Sequence, residues 1–125
     1  MRLAALLAFL GVSLGAFGAH ALKESLTESG HLEAWKTAVL YQMVHAVAML
    51  ALAIADRPAF RVPYGLFAAG IALFSGSIYG LCLTDLKFLG PITPIGGVLF
   101  LVGWAWVAVK APSARRTSDG ESPRA

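Results

Sequence analysis

Charge is scarce in this chain. Only 14% of its residues are charged against 58% hydrophobic, and the mean hydropathy is +0.71. A water-soluble domain needs a polar shell around its core, so this composition excludes one. Asp, Glu, Lys and Arg are absent from all four of the long apolar runs. Proton- or ion-coupled carriers usually keep a carboxylate in the membrane that gains and loses charge, and that absence disfavours such a mechanism. Cysteine occurs once, at Cys82 in an apolar run, so neither an intrachain disulfide nor a thiolate metal cluster is possible. H-E-x-x-H and P-loop patterns are missing, and no catalytic residue, metal site or enzymatic activity is expected. His31, beside Glu28 and Glu33 in a polar stretch, reads as solvated surface. The net charge of +3 sits at segment ends and in the tail rather than along one face. That pattern suits an anionic membrane surface and argues against nucleic acid.

What is present is apolar length. Four runs, at about 3–22, 37–55, 64–84 and 92–109, have about the length a helix needs to cross hydrocarbon. The expected fold is therefore all-α: a polytopic membrane protein whose four transmembrane helices form one antiparallel bundle over residues 1–109. The first run ends in Ala19-His20-Ala21, the form of a signal-peptide cleavage site. Its length and its glycines favour a retained span. Lys23 to Lys36 is too polar for hydrocarbon and is expected as an irregular or interfacial connection, with a capping-box spacing at Ser25 and Glu28. Trp35 is expected at headgroup level with one wet edge. Asp56-Arg57-Pro58 stops the second run, and Ala59 to Pro63 completes a short basic loop. Asp85 is expected to pair with Lys87 or Lys23, or to cap the next turn. Thr93 and Pro94 have the form of an N-cap followed by proline at the first helical position. Residues 110–125 lack apolar periodicity and are expected as a disordered tail.

Small residues mark the packing faces. Gly11 and Gly15 with Ala19, and Gly18 beside them, Ala72 with Gly76 and Gly80, and Gly96, Gly97 and Gly103 would let neighbouring backbones approach closely. The basic residues predict orientation. With four spans Arg2, Arg57, Arg61, Lys110, Arg115, Arg116 and Arg124 share the side of the termini, while Lys23, Lys36 and Lys87 lie opposite. That bias places both termini in the cytoplasm.

One span carries the candidate chemistry. Tyr41, Gln42 and His45 lie on or beside one face of the second run, with Ala38 and Ala48 leaving room for a neighbour. Hydrocarbon offers these polar groups no partner, so the face should turn inward. Two readings stand. The three form an interhelical hydrogen-bond cluster with Ser75, Ser77, Tyr79 or the backbone of the first span, or they bind a ligand. A haem held between His20 and His45 is one version, opposed by their different depths; a quinone headgroup on His45, Gln42 or Tyr41 requires less symmetry. Ser75 and Ser77 can also bond to carbonyls of their own previous turn.

The segments GAFGAHALK (15–23), WKTAVLYQMVHAVAML (35–50), FSGSIYGLCLT (74–84) and LGPITPIGGVLFLVGWAW (89–106) resemble, in order, the YgdD / transmembrane protein 256 family. The likeness covers about residues 3 to 109. It implies a small four-span membrane protein with an uncleaved first helix, in the inner membrane for a bacterial member, and it implies no reaction. The expected role is a structural or accessory bundle in the lipid bilayer, alone, as a homo-oligomer or beside a membrane-protein partner. The alternatives are a binder of a small apolar ligand or redox cofactor, and an oligomeric pore or transporter for a neutral solute.

Overall fold

A computed structural model describes residues 1–112. Helix α1 (Arg2–Ala19) is followed by a short α2 (Lys23–Ser29), then by α3 (Leu32–Ala55). A turn of 3-10 helix at Pro58–Phe60 leads into α4 (Arg61–Gly70), which passes through a π-helical turn at Ile71–Ser75 into α5 (Gly76–Thr84). A second 3-10 turn, Lys87–Leu89, precedes α6 (Ile92–Lys110). Among the described residues four stretches are long and apolar enough to cross a membrane: Arg2–Ala19, Leu32–Ala55, Pro58–Thr84 and Lys87–Lys110. Strands are absent from the described residues. The tail expected to be disordered falls outside them from residue 113 on, and Lys110 itself closes α6.

The long helix α3 is the central element. Its buried residues Trp35, Ala38, Gln42, His45, Met49 and Leu52 recur at alternating spacings of three and four, the seam of left-handed helix packing. On one side α3 carries α1, and on the other it meets α4, α5 and the π turn; α6 packs on α4 and the π turn. Ala4, Gly11 and Gly18 are the buried positions of α1, seven residues apart. Small side chains at that period keep one thin edge against α3. A Cβ at Gly11 would lie 2.5 Å from Met43 Sδ, one at Gly15 3.2 Å from Val39, and one at Gly18 would overlap the Trp35 indole. The fourth span enters in the same way. A Cβ at Gly96 would fall on the backbone nitrogen of Phe74, and one at Gly103 would lie 2.5 Å from the Phe67 ring.

Several local expectations are corrected. Lys23 to Ser29 is helical rather than irregular, ended by Gly30 at φ 78°. Leu22, not Ser25, precedes its first turn, and no side chain caps it. Trp35 is not wet: it is 1% exposed, and its indole N–H donates to Leu14 O at 2.8 Å. Ala59 to Pro63 is no loop but the helical start of the third span, because proline costs nothing in a first turn whose N–H groups have no helical acceptor. Thr93 lies inside α6, which Pro91 precedes, and its hydroxyl bonds Ser77 Oγ at 2.6 Å. Asp85 pairs with neither lysine. It follows α5 at φ 57° with its carboxylate 3.7 Å from Nε2 of the partly buried His31, where the second and third spans meet.

The ridge of Ala72, Gly76 and Gly80 does not form one contact face. Ala72 and Gly76 are exposed, and a Cβ at Gly76 would meet only Ile71 O at 4.0 Å, within its own span. The π turn inserts an extra residue into the helix, so four-residue spacing across it leaves the face it started on. Gly80 still makes a close contact, with Leu89 at 2.8 Å from a Cβ, and Gly97 makes only an ordinary one with Phe74 at 3.8 Å.

Gly96→Ala is expected to lower stability by about 1–3 kcal/mol, the cost of overpacking against backbone that cannot move aside. Gly65→Ala, where a Cβ meets nothing within 4 Å, should hold or raise it slightly. Thermal melting of both variants in one mild detergent measures the contrast. A Gly96→Ala protein that melts with the wild type would refute the close approach of α6 to the third span.

Candidate functional site

The seam of α3 places polar groups in the middle of the bundle, and the neighbouring helices supply their partners. Gln42 is 3% exposed. Its amide donates to Leu7 O of α1 at 2.8 Å and its carbonyl accepts from the Tyr79 hydroxyl of α5 at 2.7 Å. One side chain thus joins three spans. Ser75, wholly buried on the π turn, donates to Ala38 O at 2.7 Å rather than to its own previous turn. Ser77 does bond back, to Phe74 O at 2.9 Å, and also meets Thr93.

His45 completes the set on the other side. It is 4% exposed and its ring stacks on Phe100 of α6, centroids 3.6 Å apart and planes 13° from parallel, with Phe67 edge-on at 5.2 Å. Nδ1 lies 2.7 Å from Tyr41 O, and Nε2 lies 3.0 Å from the Trp104 indole nitrogen. A carbonyl only accepts and an indole N–H only donates. The partners therefore assign the hydrogen to Nδ1 and leave the Nε2 lone pair to Trp104. Both nitrogens are engaged, so His45 can take up a metal or a ligand only by losing the Trp104 bond.

Of the four sequence-predicted site residues, Tyr41 and His45 lie side by side, ring centroids 6.0 Å apart and planes 14° from parallel, while Gln42 and His20 are directed elsewhere. Gln42 turns toward α1 and α5, while His45 turns toward α6. Tyr41 stands at the edge of the bundle, 41% exposed, its ring 4.7 Å from Phe74 and 6.1 Å from Phe100. His20 is far from all three. It comes directly after the last residue of α1 and lines a hollow with residues of α2, whereas Gln42 meets α1 at Leu7, thirteen residues or about 20 Å along the helix. The geometry does not bring His20 to His45.

Tyr41 and one edge of His45 line a cavity of about 400 Å³, walled by Phe74, Phe100 and Trp104 and floored by Gly97. Among the described residues no three His, Cys, Asp or Glu side chains gather to hold a metal ion. Trp104 and Phe100, which position His45, were missed from sequence. Trp104 sits near the end of its run, where an indole is ordinarily read as an interface anchor. Gly18 and Gly103 pack as the sequence suggested, each seven residues from another close-packed glycine, Gly11 and Gly96, while Gly70, against Phe100, was missed as a packing site.

Comparison with known proteins agrees with this architecture. A family model described as "Protein of unknown function (DUF423)" matches residues 14–97. The chain belongs to that family. Among DUF423 relatives, a UPF0382 membrane protein of Staphylococcus aureus is 44% identical over 86% of this chain and 89% of its own length. A UPF0382 membrane protein of Schizosaccharomyces pombe is 41% identical over 86% of this chain and 97% of its own. The UPF0382 inner membrane protein YgdD of Escherichia coli is 40% identical over 90% and 88%. No solved structure matches the chain. This DUF423 member is an integral membrane protein of four apolar helices.

The Gln42–Tyr79 bond is measurable by a double-mutant cycle with Gln42→Leu and Tyr79→Phe. Intramembrane hydrogen bonds contribute about 0.6 kcal/mol on average and at most about 1.7, so the coupling energy from detergent unfolding should fall in that range. Additive losses would show that the pair does not interact.

Proposed function

We propose that this DUF423 chain is a non-catalytic structural or accessory protein of the bacterial inner membrane, with both termini in the cytoplasm and with lipid, a second copy or another membrane protein as its neighbours. One observation carries the reading. The buried polar side chains of the bundle are engaged with one another or with backbone across spans: Gln42 with α1 and α5, Ser75 with α3, His45 with α6. Among the described residues no buried side-chain nitrogen or oxygen lacks a partner. Groups committed in this way hold register and leave no polar cluster free to transform a substrate. A pore for a neutral solute finds less support, since the space where the third and fourth spans meet α3 is filled by Phe67, Phe100, Ile71 and Met49. Orientation is supported by the excess of basic residues on the side of the termini, where Arg57 also donates to Lys110 O at 3.1 Å and lies over the Phe60 ring.

His45→Ala is expected to give a colourless protein that melts several degrees lower, since it removes the Phe100 stack and leaves the Trp104 N–H unpaired at a cost of about 1–3 kcal/mol. A Soret band in the purified wild type that vanishes in His45→Ala at an unchanged Tm would overturn the scaffold reading in favour of haem ligation. Orientation is tested with Cys82→Ser as background. A thiol at Ser118→Cys should resist a membrane-impermeant maleimide added to intact cells, and one at Ser25→Cys should react. The reverse pattern would invert the topology.

A further inference from the structure

Tyr41 is the polar residue the scaffold does not use. Among the described residues it enters hydrogen bonding through its backbone carbonyl, to His45, and not through its phenol. Ser13 and Thr37, polar side chains on the outer faces of α1 and α3, satisfy themselves on Phe9 O and Glu33 O of their own helices. The Tyr41 phenol has no such outlet. It also lies within the apolar part of the span: Tyr41 is five residues, or about 8 Å, past the exposed Lys36 of α3, and its ring packs between Phe74 and Phe100, the latter eight residues or about 12 Å into α6. Water does not reach that depth, and an unpaired O–H in hydrocarbon is costly.

Beside the phenol is the cavity of about 400 Å³, within the size range of small-molecule sites, about 300–1,000 Å³. Its walls are aromatic faces. It is open toward lipid, since Tyr41, Val98, Leu101 and Trp104 on its rim are all exposed. It runs along α6 from Pro94, near the start of that helix, to Trp104. We propose that this groove binds a membrane quinone: a flat, apolar ring entering sideways from the bilayer, stacked against Phe74, Phe100 and Trp104, with one carbonyl oxygen accepting from the Tyr41 hydroxyl. A phospholipid matches the apolar walls but not the donor, because its ester carbonyls stay at headgroup level and only methylenes reach Tyr41. Binding is the whole of the proposal, and no electron transfer is implied. The groove shares Trp104 and an edge of His45 with the scaffold, but its one donor, the Tyr41 hydroxyl, is used by none of the inter-span bonds of Gln42, Ser75 and His45, so it stands whether or not the scaffold reading holds.

The test uses the full chain in lipid nanodiscs titrated with decylubiquinone, read by quenching of indole fluorescence, with Trp104→Phe identifying the responding residue. Saturable quenching lost in Trp104→Phe is expected. Tyr41→Phe keeps the ring and deletes only the hydroxyl; it should raise the apparent Kd about five- to tenfold, the effect of about one hydrogen bond. Gly97→Leu, at a position where a Cβ meets nothing closer than Phe74 at 3.8 Å, should fill the groove and abolish saturation while the melting temperature stays near wild type. Decylbenzene, which has the tail and ring but no carbonyl, should compete poorly and equally in wild type and Tyr41→Phe. Equal quinone affinity in wild type, Tyr41→Phe and Gly97→Leu would overturn the proposal. So would decylbenzene competing as well as the quinone, which would make the groove a seat for lipid tails. Efficient disulfide dimers of Tyr41→Cys in the Cys82→Ser background, with quinone affinity unaltered by Tyr41→Phe, would assign the groove to a second copy instead.

Discussion

A lipid bilayer removes the usual reason for helices to pack. Apolar side chains gain nothing by leaving hydrocarbon for a protein interior, so close van der Waals approach and hydrogen bonds that lipid cannot replace hold the spans together. Both devices meet on α3. Its seam alternates large, small and polar residues, and each has its counterpart. The Trp35 indole lies over Gly18, Gly11 admits Met43, Gln42 reaches the backbone of α1, and Ala38 offers its carbonyl to Ser75. These pairings set the arrangement of the other spans.

Close approach and polar pairing reinforce each other. Gly96 and Gly70 let α6 come near enough to the third span for Phe100 to lie flat on the His45 ring and for Trp104 to reach its Nε2. The π turn at Ile71–Ser75 has the corresponding role on the third span. By adding a residue within one turn it rotates α5 relative to α4, so that Ser75, Ser77 and Ile78 are all buried while Gly76 faces out. A regular helix would not bring Ser75 to Ala38 and Tyr79 to Gln42 in the same way.

The division of labour among Tyr41, Gln42 and His45 comes from angle. They occupy neighbouring positions on α3, yet a helix turns about 100° per residue, so adjacent side chains meet different spans. Gln42 lies on the seam with a helix on either side and is consumed by both. Tyr41, one position earlier, faces the gap between α3 and α6 and keeps its hydroxyl. Neighbours in sequence thus have separate roles.

The number of apolar spans, the all-α class, the family and the inward turn of Gln42 and His45 were legible in the sequence. The reason is that hydrocarbon imposes length and forbids unpaired polarity, and both constraints act along a single chain. Both partners of Gln42, namely Tyr79 and the backbone of the first span, were among those the sequence offered, but Trp104 as the partner of His45 was not legible. Whether Trp35 or Trp104 lies at a wet interface or in a dry seam depends on which neighbour comes close enough to accept its N–H. Which glycines matter depends on the seven-residue period of two helices packed together, and at Gly76 on a π turn that shifts the phase. Only the tertiary structure decided those points, because contact across spans depends on the relative rotation and depth of two helices, which no single stretch of residues encodes.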